Sequence, residues 1–260
     1  MGLWSLDAAS RWIAVGATPD ATALGQTAGE VLIATAHQVD RRSLPDLSRP
    51  GRVTSLKWPV QAPAAPIVSV DGSPAGELAV VTADDQSQDY ALAPADGSVT
   101  VLTPAPTDSF TPLVAWLDDV RLLVLTTDDQ QVSRLAVVNT STHTMRPSQA
   151  VLGARTFGLS GDRQTFAVAT EKAVYMGPVA DIPAGTPPQP IVTLHDSQVV
   201  WALALDAGGS QVFMLSGAVA PDGTIDAIHE LGYARRGSSW VQVLDVSVPF
   251  AEATGQVCLG

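Results

Sequence analysis

The side chains that could carry chemistry are few and scattered. Four histidines, His37, His143, His195 and His229, have no second histidine or cysteine near them at metal-ligand spacing, whereas a zinc centre is built from such a cluster. They read as solvated loop or outer-strand residues. Ser160, in Gly158-Leu-Ser-Gly161, has the outline of a nucleophile elbow. Its place matches that of Asp71, Asp118 and Asp206 further along the chain, so turn formation accounts for it without catalysis. Cys258 is the single cysteine and can form no internal disulfide. There is no Walker loop, no Gly-x-Gly-x-x-Gly after a strand and no Cys-x-x-Cys. No catalytic residue, metal ligand or cofactor site is therefore assigned.

Acidic pairs are the sharpest polar feature: Asp84-Asp85, Asp118-Asp119 and Asp128-Asp129, with Glu171 at the place equivalent to Asp84 and Asp128. A rim of Asp84, Asp85, Asp128, Asp129 and Glu171 on one face would draw a basic partner or a divalent cation. The plainer reading is that acidic loop tips keep a β-rich surface soluble and discourage edge pairing. Six tryptophans (Trp4, Trp12, Trp58, Trp116, Trp201, Trp240) stand out in a chain with 5% aromatic residues. They read mainly as packing residues, with one or two exposed at an entrance able to anchor a peptide or sugar.

The elements that position these residues follow from composition and period. The chain has 260 residues, 46% hydrophobic and 15% charged, enough to bury a sizeable core without being a membrane or disordered chain. Fourteen Lys plus Arg against 26 Asp plus Glu give a net charge of −12, which opposes a nucleic-acid-binding surface. The 21 glycines and 19 prolines are spread from end to end, so turns are distributed, which disfavours a helical bundle. The first ten residues lack Lys and Arg, and no apolar run approaches 18 residues. Neither a signal peptide nor a membrane span is expected, which points to the cytoplasm or to a domain excised from an envelope protein.

One segment echoes another almost verbatim: Leu24 to Ala36 and Val70 to Ala83, each read as strand, polar turn, strand. The template recurs at Leu117 to Thr127, Leu159 to Thr170 and Leu205 to Ser216. Its apolar runs begin near Val31, Leu78, Leu122, Thr165 and Val212, at separations of 47, 44, 43 and 47 residues, close to the period of about 40 to 50 residues of four-stranded propeller blades. The second unit divides into strands at Pro66 to Val70, Leu78 to Ala83, Asp89 to Ala93 and Ser98 to Pro104, with Asp96-Gly97 as a tight hairpin turn.

The expectation is a single all-β propeller domain over 1–260, with repeats at 20–62, 63–108, 109–153, 154–196 and 197–248. Residues 1–19 form a further hairpin and 249–260 a tail. These leftovers suggest a sixth, composite closing blade drawn from both termini, or else an opening of the first blade with the 24 to 36 echo as its later strand; the plainer reading is a decorated five-bladed ring, or an incomplete ring finished by a partner or by further sequence.

The turn between first and second strands, Val70-Asp-Gly-Ser, Leu159-Ser-Gly-Asp-Arg and Leu205-Asp-Ala-Gly-Gly, followed by an apolar strand, resembles that of the WD-repeat-like β-propeller superfamily, over about residues 20 to 248. It is also similar to the repeats of periplasmic Tol-type propellers and of actinobacterial envelope lipoproteins. No Trp-Asp and no Gly-His dipeptide occurs, so the hydrogen-bond network of true WD repeats is missing. The resemblance implies a rigid scaffold offering its surfaces to protein partners, without chemistry of its own. The alternatives are a propeller enzyme of hydrolase, lyase or lactonase type with acidic residues at the channel mouth, or a glycan-binding propeller. Neither nucleic acid nor membrane insertion is expected, and the oligomeric state stays open.

Overall fold

A computed structural model describes residues 2–6, 12–17, 21–27, 30–35, 37–43, 51–59, 65–83, 88–102, 113–127, 132–220 and 225–248. Antiparallel strands dominate. A hairpin of β1 (Gly2–Leu6) and β2 (Trp12–Ala17) forms a two-stranded sheet. Five four-stranded sheets follow, each a meander in chain order. The first holds β3 (Ala23–Thr27), β4 (Glu30–Ala34), β5 (Gln38–Ser43) and β6 (Arg52–Ser55). The second holds β7 (Ile67–Gly72), β8 (Leu78–Ala83), β9 (Gln88–Ala93) and β10 (Thr100–Val101). In the third are β11 (Val114–Trp116), β12 (Arg121–Thr127), β13 (Ser133–Asn139) and β14 (Thr144–Leu152). The fourth comprises β15 (Thr156–Leu159), β16 (Thr165–Ala169), β17 (Ala173–Pro178) and β18 (Gln189–Thr193), with a single turn of helix, α1 (Asp181–Ala184), between its last two strands. The fifth comprises β19 (Gln198–Leu205), β20 (Gln211–Val219), β21 (Ile225–Arg236) and β22 (Ser239–Ser247).

The echo at 24 to 36 is thus the first pair of strands of the first sheet, and the hairpin of β1 and β2 is a sheet of its own. No strand from the C-terminal side joins it among the described residues; the tail at 249–260 lies outside them.

Two compact units are distinguished, one holding β1 to β11 and the other β12 to β22 with α1. In both, the second strands are covered on both faces, as the burial of Val31 to Ala34, Leu78 to Thr82, Leu122 to Thr127 and Phe166 to Ala169 shows. Continuous apolar runs are the sequence form of that environment. In the first unit the core joins Leu32, Ala34 and Val39 to Ile67, Val70, Leu78 and Val80. In the second, Ala167, Val174 and Met176 meet Leu203, Leu205, Val212 and Met214.

Within each unit the first strands of successive sheets meet at a constant spacing. The amides of Val114 and Trp116 donate to Ser69 Oγ at 3.2 Å and to Asp71 Oδ2 at 2.6 Å, both pairs 45 residues apart. In the second unit the turns that follow the first strands meet in the same way, Gly161 and Asp162 donating backbone N–H groups to the carbonyls of Asp206 and Ala207, at 3.4 and 2.9 Å. These residues are again 45 apart. Two glycines mark the same approach. A Cβ on Gly25 would lie 1.9 Å from the carbonyl oxygen of Val70, and one on Gly158 would lie 2.7 Å from that of Leu203. Only the residue without a Cβ allows such a backbone to come this near.

The turn residues are partly reassigned. Ser160 Oγ accepts from the Thr165 amide at 3.0 Å and donates to Asp162 Oδ1 at 2.6 Å. Asp206 accepts from the amides of Ser210 and Gln211 at 2.6 and 2.8 Å, and Asp118 from that of Val120 at 3.0 Å. All three close their turns. In the second sheet that role falls to Ser73, whose Oγ accepts from the Glu77 amide at 3.0 Å. Asp71 is instead buried within β7 and bonded to the next first strand. The letter match placed Asp71 two residues too early, because the acceptors Ser73, Ser160 and Asp206 each open the turn, five residues before the returning strand starts at Leu78, Thr165 and Gln211. Asp119 reaches the neighbouring turn, accepting from the Ala75 amide at 2.9 Å. The Asp96-Gly97 step is also longer than a two-residue hairpin. Gly97 donates to the Pro94 carbonyl at 2.8 Å and has φ +79°, so Pro94 to Gly97 is a four-residue turn ending in a left-handed glycine.

One buried group works against the fold. Glu230, on β21, is almost fully covered, and its Oε2 has no hydrogen-bond partner among the described residues. Burial pushes its carboxyl above the ordinary glutamate value of 4.5. The folded chain therefore holds a proton that the unfolded chain releases. The associated stability is full below 4.5 and is lost as pH rises through the raised value. Glu230→Gln is accordingly expected to melt at a higher temperature than the parent at pH 8, with the gap closing toward pH 4. Melting curves by circular dichroism across that range check this, and a gap independent of pH would refute it.

Candidate functional site

The large exposed apolar side chains lie mostly on outer strands. Among the described residues, Val53 is on β6, Leu152 ends β14, and Val241 and Val243 are both on β22, between 47% and 54% exposed; Val120 lies in a turn. The outermost strand of each meander bonds to one neighbour within its sheet, leaving a row of backbone groups toward the outside. Natural edges are usually blunted by charge, proline or shortness. β22 is nine residues long, and its Trp240 to Asp245 stretch carries two exposed valines before its first acid.

The β22 strand is held firmly from its inner side. It pairs with β21 from His229↔Ser247 to Arg236↔Ser239, and Trp240 packs with Tyr233 against the core of the second unit. Asp245 binds both neighbours: Oδ1 lies 2.6 Å from His229 Nδ1, and Oδ2 accepts from Gln242 Nε2 at 3.3 Å. Burial and then the Asp245 carboxylate push the Tyr233 hydroxyl above its ordinary value. An edge this well anchored presents its valines in fixed positions.

Register also sets Ser216 directly opposite His229 on β21, so that serine, histidine and aspartate share one sheet face. Their bonding is not that of a nucleophile and its base. Ser216 Oγ donates to the Val199 carbonyl at 3.0 Å and accepts from Gln198 Nε2 at 2.9 Å, and the residue is buried. The hydroxyl proton is committed to the backbone, away from His229.

Of the sequence-derived acidic rim, Asp84, Asp85, Asp128 and Asp129 lie outside the described residues. Glu171 is described, in the turn between β16 and β17, after a second strand as expected. It is exposed and pairs with the Arg155 guanidinium, so its charge is largely compensated, although an exposed pair of this sort adds little stability. Among the described residues no three His, Cys, Asp or Glu side chains are grouped as metal ligands. Trp116 is fully buried, while Trp58, Trp201 and Trp240 are partly buried against core clusters. None of these four stands free at an entrance. The side chains of Trp4 and Trp12 lie outside those described. No helix among the described residues is long and apolar enough to cross a membrane.

No protein-family model matches the chain, and no curated protein matches it. Solved structures do. A putative TolB from Agrobacterium tumefaciens is similar at TM-score 0.64 and 13% identity, over 91% of this chain and 85% of that one. The β-propeller domain of Cps50 (Swd1) from Myceliophteria thermophila is similar at TM-score 0.57 and 16% identity, over 92% and 76%. The extracellular domain of a putative hybrid two-component system from B. thetaiotaomicron gives TM-score 0.53 at 12% identity, over 94% of this chain but 30% of that one. At such identities the likeness speaks to fold alone. With five four-stranded meanders and a match to these structures over nine-tenths of its length, the chain has the fold of a five-bladed β-propeller.

Proposed function

We propose that this propeller is a noncatalytic protein-interaction module whose partner docks along the outer edge of the fifth sheet, over Val241 and Val243. The observation that carries the reading is the nine-residue outer strand with two half-exposed valines on it. Strand addition at such an edge takes affinity from main-chain hydrogen bonds and specificity from alternate side chains. The bonding of Ser216 argues against the enzyme alternative at the place on the fifth sheet where a serine, a histidine and an aspartate share a face.

The test is affinity capture from native extract with the parent chain and with a V241D/V243D double variant. The parent is expected to retain a protein at near-equal stoichiometry, and the variant to retain at least tenfold less, equivalent to about 1.4 kcal/mol. Both side chains are half in water, so the variant should melt within a few degrees of the parent. Absence of a stoichiometric partner, or capture unchanged by the double substitution, would defeat the reading.

A further inference from the structure

The fifth sheet has one face toward the fourth and one away from it. Val212, Met214 and Leu231 meet Val174 and Met176 of the fourth sheet in one core cluster. Side chains alternate along a strand, so the residues between them project the other way. There Ala202, Leu215 and Ile228 form a second cluster, with Trp201 and Val248 packed on it. Glu230 belongs to this second face, directly between Leu215 on β20 and Val246 on β22.

Among the described residues nothing charged shares that face near it. Its neighbours on β19, β20 and β22 are Ala202, Phe213, Leu215, Leu244 and Val246. His229, Tyr233, Arg235 and Asp245 project from the opposite face by the same alternation. On β21 itself, Asp226 and Arg236 have the parity of Glu230 but stand four and six residues away, roughly 13 and 20 Å at the rise of a strand. Glu230 is 4% exposed, and its Oε2 has no hydrogen-bond partner among the described residues. An ionised carboxylate there has lost water and gained no donor at that oxygen, so the closed sheet favours the neutral acid. Burial is also what lifts the carboxyl above its ordinary value.

Water is not equally distant on the two sides. β20 is bonded on both edges, to β19 and β21, whereas β22 is outermost and bonded to β21 alone within its sheet. Past Val246, the end of β22 is held by the pairing of His229 with Ser247 and by the Val248 amide, which donates to the Ile228 carbonyl at 2.8 Å. Parting of these few bonds brings solvent to Oε2 while β19, β20 and β21 stay paired. Such fraying of a strand end takes far less free energy than unfolding the sheet.

We propose that Glu230 is a proton-operated latch on the outer hairpin: with the proton on, residues 244–248 lie closed over the carboxyl, and when the proton leaves for water they part from β21. In the open form the group is hydrated and has its ordinary value of 4.5, so the closed form holds the proton more tightly. The open population therefore grows about tenfold per pH unit above 4.5 and levels off once pH passes the raised value of the closed form. The latch lies in the strand proposed above as the docking edge, yet neither its operation nor its test requires a partner.

Amide hydrogen exchange of the intact chain between pH 4.5 and 8, expressed as protection relative to the unstructured-peptide rate at each pH and repeated in low urea, follows the latch. Protection over residues 244–248 is expected to fall at least fivefold as pH rises and then level off. It should respond little to urea, because a frayed strand end exposes little surface, whereas β12 and β16 should show the full urea response of unfolding. Glu230→Gln keeps the size of the side chain and Glu230→Met leaves no polar atom there, and neither titrates. In both, protection at 244–248 should change less than twofold with pH. His229 and Asp245 bond across the same two strands, so His229→Gln is the control and should leave the pH dependence in place. The latch is overturned by protection at 244–248 that does not vary with pH, by a urea response there equal to that of β12 and β16, or by a pH dependence that survives in both Glu230 variants or vanishes in His229→Gln.

Discussion

Gly25→Ala is expected to destabilise the protein by about 3 kcal/mol or more, the upper part of the range for inserting atoms into packed space. For a chain of this size that corresponds to roughly 6 to 12 °C in melting temperature. The added Cβ would stand 1.9 Å from the Val70 carbonyl oxygen and 3.0 Å from Val70 Cγ1. The first of these neighbours is main chain and cannot rotate away. Relief requires β3 and β7 to separate, and their contact is part of the core that joins Ala23 and Leu32 to Ile67 and Val70. The repeat supplies an internal scale. Gly158→Ala meets the Leu203 carbonyl at 2.7 Å and should cost less, and Gly208→Ala, with nothing within 4 Å, should cost least. Thermal melts that failed to rank the three in this order would show that the first strands are not packed as described.

The second large effect is at Asp71. Truncation to alanine removes the acceptor of the 2.6 Å bond from the Trp116 amide and strands a buried N–H. Such a loss costs about 1 to 3 kcal/mol, more where the lost partner was charged. Asp71→Ala is therefore expected to lower the melting temperature by about 2 to 12 °C. Asp71→Asn keeps a carbonyl oxygen in nearly the same place and should lose less than half as much. If the two substitutions were equally harmful, the bond to Trp116 would not be what Asp71 contributes. The equivalent test at a turn, Asp118→Ala, removes an exposed bond to the Val120 amide and should cost less than either.

Much of this architecture was legible in the residues because repetition is a sequence property. Separations of 43 to 47 residues between apolar runs become a 45-residue step between bonded first strands. The doubly covered second strands announce themselves as unbroken runs such as Leu122 to Leu125. What the letters hid was geometry. Asp71 and Asp206 look alike in alignment, yet one bridges two first strands and the other closes a turn. The turn of helix at Asp181–Ala184 is too short, and too interrupted by Pro183, to leave a periodic signal. Val241 and Val243 read as ordinary strand residues, and only their place on an outermost strand makes them exposed. Glu230 is set between Leu215 and Val246 by pairing across three strands, a relation that no spacing along the chain displays.

The proposed partner surface is β22. Amide hydrogen exchange, measured on the free chain and on the chain with its captured partner, tests that claim most directly. Protection is predicted to rise at residues 239–247 and to stay unchanged through the buried second strands β8, β12 and β16. Protection confined to other surfaces, such as the turn that carries Glu171, with β22 exchanging as fast as in the free chain, would contradict it.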